Sequence, residues 1–201
     1  MKDFAVKIRN HWLEYYDKEH LYLVDGIQVP SITEMLRVRF GEKYADIDPE
    51  VLQRAADKGT EVHEAIERYC ETGEEADLPE LRGFKFLQKH YEFEVLQNEV
   101  PVILFRIGEP IAAGRCDLVI QNENGLGGAD IKRTSTLDKN YLTAQLNLYR
   151  EAYYQCYRME WSFLVGIHLR EDLRKFVGVP INENLTWEIV DEWRKMNEQS
   201  Y

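Results

Sequence analysis

Residues 114–134 read GRCDLVIQNENGLGGADIKRT. Two apolar runs flank the turn-forming residues Asn122–Gly125, yet Asp117 and Asp130 interrupt them and Lys132 follows two positions after the second. Side chains alternate faces along a strand, so Asp130 and Lys132 share one face and Ile131 takes the other. With all of Asn122–Gly125 in the loop, Asp117 lies opposite Asp130. With Asn124-Gly125 alone in it, Asp117 lies opposite Lys132. Either even-length loop puts the three charges on one face, and only a three-residue loop without a bulge would separate them. Directly opposed Cβ atoms lie about 4.5–5.5 Å apart, where like charges repel. A divalent cation removes that repulsion, and magnesium takes few hard oxygen ligands and completes its shell with water. Lys132 beside such a cation could donate to a bound water or a phosphate oxygen. Taken alone, the trio reads more simply as a salt-bridged solvent face.

The rest of the chain bounds the answer. Its 201 residues suit one domain over 1–201, and 44% hydrophobic with 30% charged residues is a soluble, globular composition. No apolar run is long enough to span a membrane, and the first twenty residues lack a signal-peptide core. Cys70, Cys116 and Cys156 are scattered and odd in number, which offers neither a disulfide framework nor a zinc ribbon and points to a reducing cytoplasm. A net charge of −11 opposes simple nucleic-acid binding, which depends on local Lys and Arg.

The coarse pattern begins with a hairpin around Asp25-Gly26. Ser31 and Glu34 then open a helix as a capping box. Residues 48–73 have helical spacing that ends near Gly73, and 78–96 read as a second helix. Strands follow at 99–107, 111–121 and 126–134, then a helix at 138–157, strands at 161–169 and 175–181, and a last helix at 183–199. Helices enclosing a strand cluster imply an α/β fold with a central mixed sheet. Gln145 and Tyr149 are four apart and share a face of the 138–157 helix with Tyr141, Leu148 and Ala152, so that face packs inward. His63 lies on the 48–73 helix with Glu67 one turn later. Separately, these are ordinary core or helix-pair residues.

In order along the chain, "GTEVH", "GRCDLV", "ADIK" and "QLNLY" resemble the PD-(D/E)XK nuclease superfamily, most of all its RecB-type branch with a Gln-x-x-x-Tyr motif. The histidine motif resembles that of phage exonucleases and CRISPR-adaptation nucleases, and residues 22–36 look like small phage- and prophage-encoded members. With that opening, the resemblance spans about three quarters of the chain. It implies a restriction-endonuclease-like core and a metal-dependent DNA exonuclease of phage or prophage recombination or repair. Asp117, Asp130 and His63 would be metal ligands, with the Ile131 carbonyl completing the site. Lys132 would orient or deprotonate the attacking water, and Gln145 and Tyr149 would steady Lys132 and contact substrate.

Two residues depart from the usual pattern: Cys116 where proline is common, and Asp130 where many relatives carry Glu. The implied cofactor is Mg2+, with Mn2+ as substitute. Three scattered cysteines argue against the iron–sulfur cluster of some relatives. Arg115 and Arg133 are candidate substrate contacts, forming a basic rim with Lys132 and Lys139 that Lys85 and Lys89 extend. The implied partner is DNA, as double-stranded ends, and relatives include ring-forming homo-oligomers and exonucleases assisted by a partner such as a single-strand annealing protein. An endonuclease of the same fold, or an inactive nucleic-acid- or protein-binding module, is the alternative.

Overall fold

Alternation of buried side chains organises the main sheet. In the computed structural model, which describes residues 4–41 and 48–198, five strands run in the order β5 (Glu94–Arg106), β6 (Glu109–Asn122), β7 (Gly125–Lys132), β8 (Phe163–Arg170) and β9 (Leu173–Val179). Only β7 and β8 are parallel, so the sheet is mixed. The crossover joining that pair contains α5 (Lys139–Tyr157), started by Asp138, whose carboxylate accepts from the Asn140 and Tyr141 amides at 3.0 Å. Leu118, Ile120, Ala129 and Ile131 face α3 (Pro49–Thr72) and α4 (Pro79–His90), where they pack with Val62, Ile66 and Phe84. The opposite face packs on α5, and α6 (Glu183–Glu198) packs in turn on α5. This is the expected α/β architecture with a central mixed sheet between helices.

The N-terminal region holds more strands than the one hairpin expected from sequence. Before the expected hairpin come two further strands, and β1 (Phe4–Ile8), β2 (His11–Tyr16), β3 (Leu21–Val24) and β4 (Ile27–Val29) form a separate antiparallel sheet. Its alternating residues Ile8, Leu13, Tyr15, Tyr22 and Val24 join the same apolar core as α5 and β5–β6. Apolar residues at the outward positions, Ala5, Trp12, Leu21 and Leu23, blur that alternation in the sequence. Ser31 caps α1 (Ile32–Met35), its hydroxyl accepting from the Glu34 amide at 2.9 Å, and the short α2 (Arg37–Phe40) follows. The Ala113 amide donates to Pro30 O at 3.0 Å, tying this region to β6.

The helix expected over 78–96 ends at His90. Glu92 turns the chain through the left-handed region (φ 48°). Phe93 then buries its ring against Phe84 and Phe176, and Val95 pairs with Ile120 as part of β5. Burial of Phe93 overrides the helical spacing there. Gly59 stays inside an unbroken α3, which ends in a left-handed Gly73. Two glycines in the main sheet are required for close packing. A Cβ on Gly128 would lie 2.1 Å from the Trp161 ring, and one on Gly166 would lie 2.4 Å from Leu142.

Candidate metal centre

The β6–β7 hairpin has Asn122 paired with Gly125 and Leu118 paired with Ala129. Glu123-Asn124 is therefore the turn, and the register is the one expected for the four-residue loop, with Asp117 across from Asp130. Beyond Leu118 the ladder forks. β7 goes on pairing with β8 as far as Lys132, while β6 continues along β5. Asp117 sits at this fork, where its Oδ2 accepts the Ile131 amide at 2.7 Å. Its carboxylate thereby satisfies a backbone donor that the ladder has released.

His63 reaches the fork from α3. Its Nε2 lies 3.2 Å from Ile131 O, and its Nδ1 lies 3.8 Å from Asp117 Oδ2 and 3.7 Å from Glu99 Oε1. With Nε2–H donating to the carbonyl, Nδ1 faces the two carboxylates, which is how a ligating imidazole is oriented by its other nitrogen. Ile131 O is thus a partner of His63, whereas the resemblance assigned it to the metal.

Among the described residues, His63, Glu99 and Asp117 form a group whose ligand atoms all lie within 4.8 Å of one another. Glu99 was missed from sequence. It stands in β5 across from Asp117, between the pairs Asn98–Leu118 and Val100–Cys116, with φ at 46°. A glutamate at the head of an apolar strand reads as a strand start. Only the pairing shows that it meets Asp117.

Asp130 is buried and leans the other way, with Oδ2 2.6 Å from Lys132 Nζ. Burial and the neighbouring Asp130 both raise the Asp117 pKa above the usual carboxylate range, against the pull of His63 and Lys132. Burial works against a charged His63, but Asp117 and Glu99 outweigh it and lift its pKa to about 9. Lys132 is likewise opposed by burial yet held protonated by Asp130 and Asp117. Asp117, Asp130 and Glu99 thus face two cationic side chains, His63 and Lys132, at this fork.

A cavity of about 550 Å3 opens onto His63, Glu99 and Asp117, and Gly59, Thr60, Arg115 and Tyr149 also line it. Tyr15, His20 and Tyr22 form the far wall, so the N-terminal sheet contributes to the site. Tyr149 packs so closely on Gly114 that a Cβ there would lie 2.9 Å from its ring. Gln145 is buried one turn before Tyr149 and is not among the cavity's lining residues, and its Oε1 has no hydrogen-bond partner.

Arg115 reaches the cavity, with its guanidinium 5.1 Å from the Tyr15 ring centroid and its Nε 3.3 Å from Glu99. Arg133 does not. Alternation turns it to the α4 face, where its Nε donates to the buried Glu80 at 2.7 Å. Lys85 is held by Glu75. Of the residues expected in the basic rim, Arg115 lines this cavity, while Lys132 lies outside its lining, paired with Asp130.

A cation can bind His63 Nδ1 only when that nitrogen is unprotonated. With its pKa near 9, His63 carries a proton at neutral pH that binding must expel. Manganese affinity should therefore rise with pH until about 9 and then level off. Calorimetric titration at pH 7.5 in buffers of different ionisation heat should register proton release, and zero release would place His63 outside the coordination sphere.

Cys70, Cys116 and Cys156 are all free thiols, the last two buried. Among the described residues, no helix is long and apolar enough to cross a membrane.

No protein-family model matches the sequence, and no curated protein matches it. A solved structure described as "Crystal structure of SSO0001" aligns with a TM-score of 0.48 and 17% sequence identity, covering 84% of this chain and 76% of that one.

Proposed function

We propose that the chain is a divalent-metal-dependent deoxyribonuclease with a restriction-endonuclease-like core of the PD-(D/E)XK type, acting as an exonuclease on double-stranded ends in phage or prophage recombination or repair. The observation that carries this reading is the meeting of His63, Glu99, Asp117 and the Asp130–Lys132 pair at one fork, although His63 and Ile131 lie 68 positions apart in sequence. A nitrogen and carboxylate oxygens facing one point suit magnesium or manganese.

His63, Glu99 and Asp117 would hold the cation, with Asp130 beside them. When bound, such a cation lowers the pKa of water and neutralises charge on phosphate oxygens. Lys132 supplies a fixed positive charge where the phosphate gains negative charge, and its protonated state favours orienting the attacking water over deprotonating it. Asp130 holds that ammonium. Tyr149 and Arg115 bound the space for the substrate backbone, and the mixed sheet with its α5 crossover suits the expected core.

Incubation with linear, nicked and closed circular DNA in Mg2+, Mn2+ or EDTA tests this directly. Metal-dependent loss of linear DNA from its ends is expected. Cutting of closed circles would select the endonuclease alternative. Binding without cleavage of any substrate, in either metal, would leave the inactive binding module.

A further inference from the structure

A second cavity lies far from the fork. From Asp117 to the hairpin tip at Glu109, β6 runs roughly 25 Å at about 3.3 Å per residue. At that tip a cavity of about 540 Å3 is lined by Arg9, Phe105, Ile107, Tyr154, Arg158 and Trp187, among others.

Its charge is opposite to that of the chain. The protein carries a net −11, yet the lining holds two arginines against one carboxylate, Glu151, which already accepts from Gln155 Nε2 at 2.9 Å. His11 also lines the cavity and has its own partner in Asp25, at 2.7 Å. Neither Arg9 nor Arg158 has a carboxylate partner among the described residues, although Arg9 donates one N–H to Gln155 O at 3.3 Å. Each guanidinium instead lies near an aromatic ring of the wall, Arg9 6.0 Å from the Phe105 centroid and Arg158 5.7 Å from that of Tyr154.

Arg9 and Ile107 begin two-residue hairpin turns and Arg158 caps α5, which accounts for their left-handed backbones, with φ of 55°, 52° and 61°. Ile107 is β-branched and 95% exposed, so neither backbone preference nor burial explains an isoleucine there.

We propose that this cavity binds a nucleotide unit, with the base against Tyr154, Trp187 and the Ile107 rim and the phosphate against Arg9 and Arg158. Rings that accept any base by stacking, beside guanidiniums without carboxylate partners, are what a sequence-tolerant nucleotide site needs. An acidic peptide would match the arginines and leave the aromatic wall unused. A neutral apolar ligand would bury two charges without partners. The neighbouring hollow, about 430 Å3, shares Tyr154 and Trp187 but carries Glu160 and Glu183, which turns the phosphate toward the arginine side.

Such binding needs neither metal nor hydrolysis, so it is measurable whether or not the chain is a nuclease. The probes are a fluorescein-labelled thymidine oligonucleotide, by anisotropy, and deoxyadenosine monophosphate, by calorimetry, both in EDTA. Arg9→Asn/Arg158→Asn removes the charges and keeps residues that tolerate the left-handed backbone. It should weaken oligonucleotide binding at least tenfold and flatten the salt dependence by roughly 1.4 in log–log slope, as expected for two phosphate contacts on a single strand. Tyr154→Ala should weaken binding roughly tenfold, and Tyr154→Phe should retain it.

Displacement of the oligonucleotide by the monophosphate assigns a site for free nucleotides. Binding of the oligonucleotide alone assigns a strand-tracking contact. Unchanged affinity in the folded double variant, no binding of either probe, or equal displacement by polyglutamate would overturn the assignment.

Discussion

Lys132→Ala should reduce magnesium-dependent DNA hydrolysis on the order of a hundredfold or more, with the fold and the metal affinity retained. Lys132 lies 2.6 Å from Asp130 and is kept protonated by Asp130 and Asp117, so it is a cation and not a ligand. Removing it deletes positive charge where the transition state gains negative charge. It also removes repulsion toward a bound cation, so metal affinity should hold or rise. Asp117→Ala should abolish hydrolysis by the other route, because Asp117 belongs to the group of ligand atoms within 4.8 Å of one another. Glu99→Gln should weaken metal binding as well, a consequence the motif resemblance does not contain. Metal titration and a nuclease assay on the three variants separate these roles. Full activity in Lys132→Ala would remove it from catalysis, and equal loss of metal binding in Lys132→Ala and Asp117→Ala would show that the roles are wrongly divided.

Arg133→Ala should have the largest effect on stability. Glu80 is fully buried, and its Oε1 accepts from Arg133 Nε at 2.7 Å while Oε2 has no hydrogen-bond partner. Truncating the arginine strands a charge in the core between α4 and β7, at a cost of about 3–5 kcal/mol. For a chain of this size that lowers the melting temperature on the order of 10 °C. Removing both partners, as Arg133→Met with Glu80→Leu, should recover most of the loss, because the desolvation cost disappears with the pair. Chemical denaturation of the single and double variants checks both statements. An unchanged midpoint in Arg133→Ala together with weaker DNA binding would return Arg133 to the substrate rim.

Period-two alternation is a local property of extended backbone, and it was legible in residues 114–134. It put Asp117, Asp130 and Lys132 on one face before any partner was known. Applied one residue further, it also turns Arg133 to the face opposite Lys132, although proximity in sequence groups the two. Helix ends were legible where a cap residue marked them, as at Ser31, Gly73 and Asp138. The end at His90 was not, because burial of Phe93 between Phe84 and Phe176 decides it.

The sequence by itself determined the mixed α/β architecture, the paired aspartates and the lysine beside them, since spacing along the chain encodes each. Tertiary structure alone decided three further things. Glu99 joins His63 and Asp117 because a left-handed kink in β5 lies across from the point where β6 leaves β7. The His63 ring is oriented by the Ile131 carbonyl. The N-terminal sheet, whose apolar outward residues blur its alternation, walls the cavity with Tyr15 and Tyr22. Each depends on which segments meet across the core, and that choice is made by packing between residues whose spacing in sequence carries no trace of it.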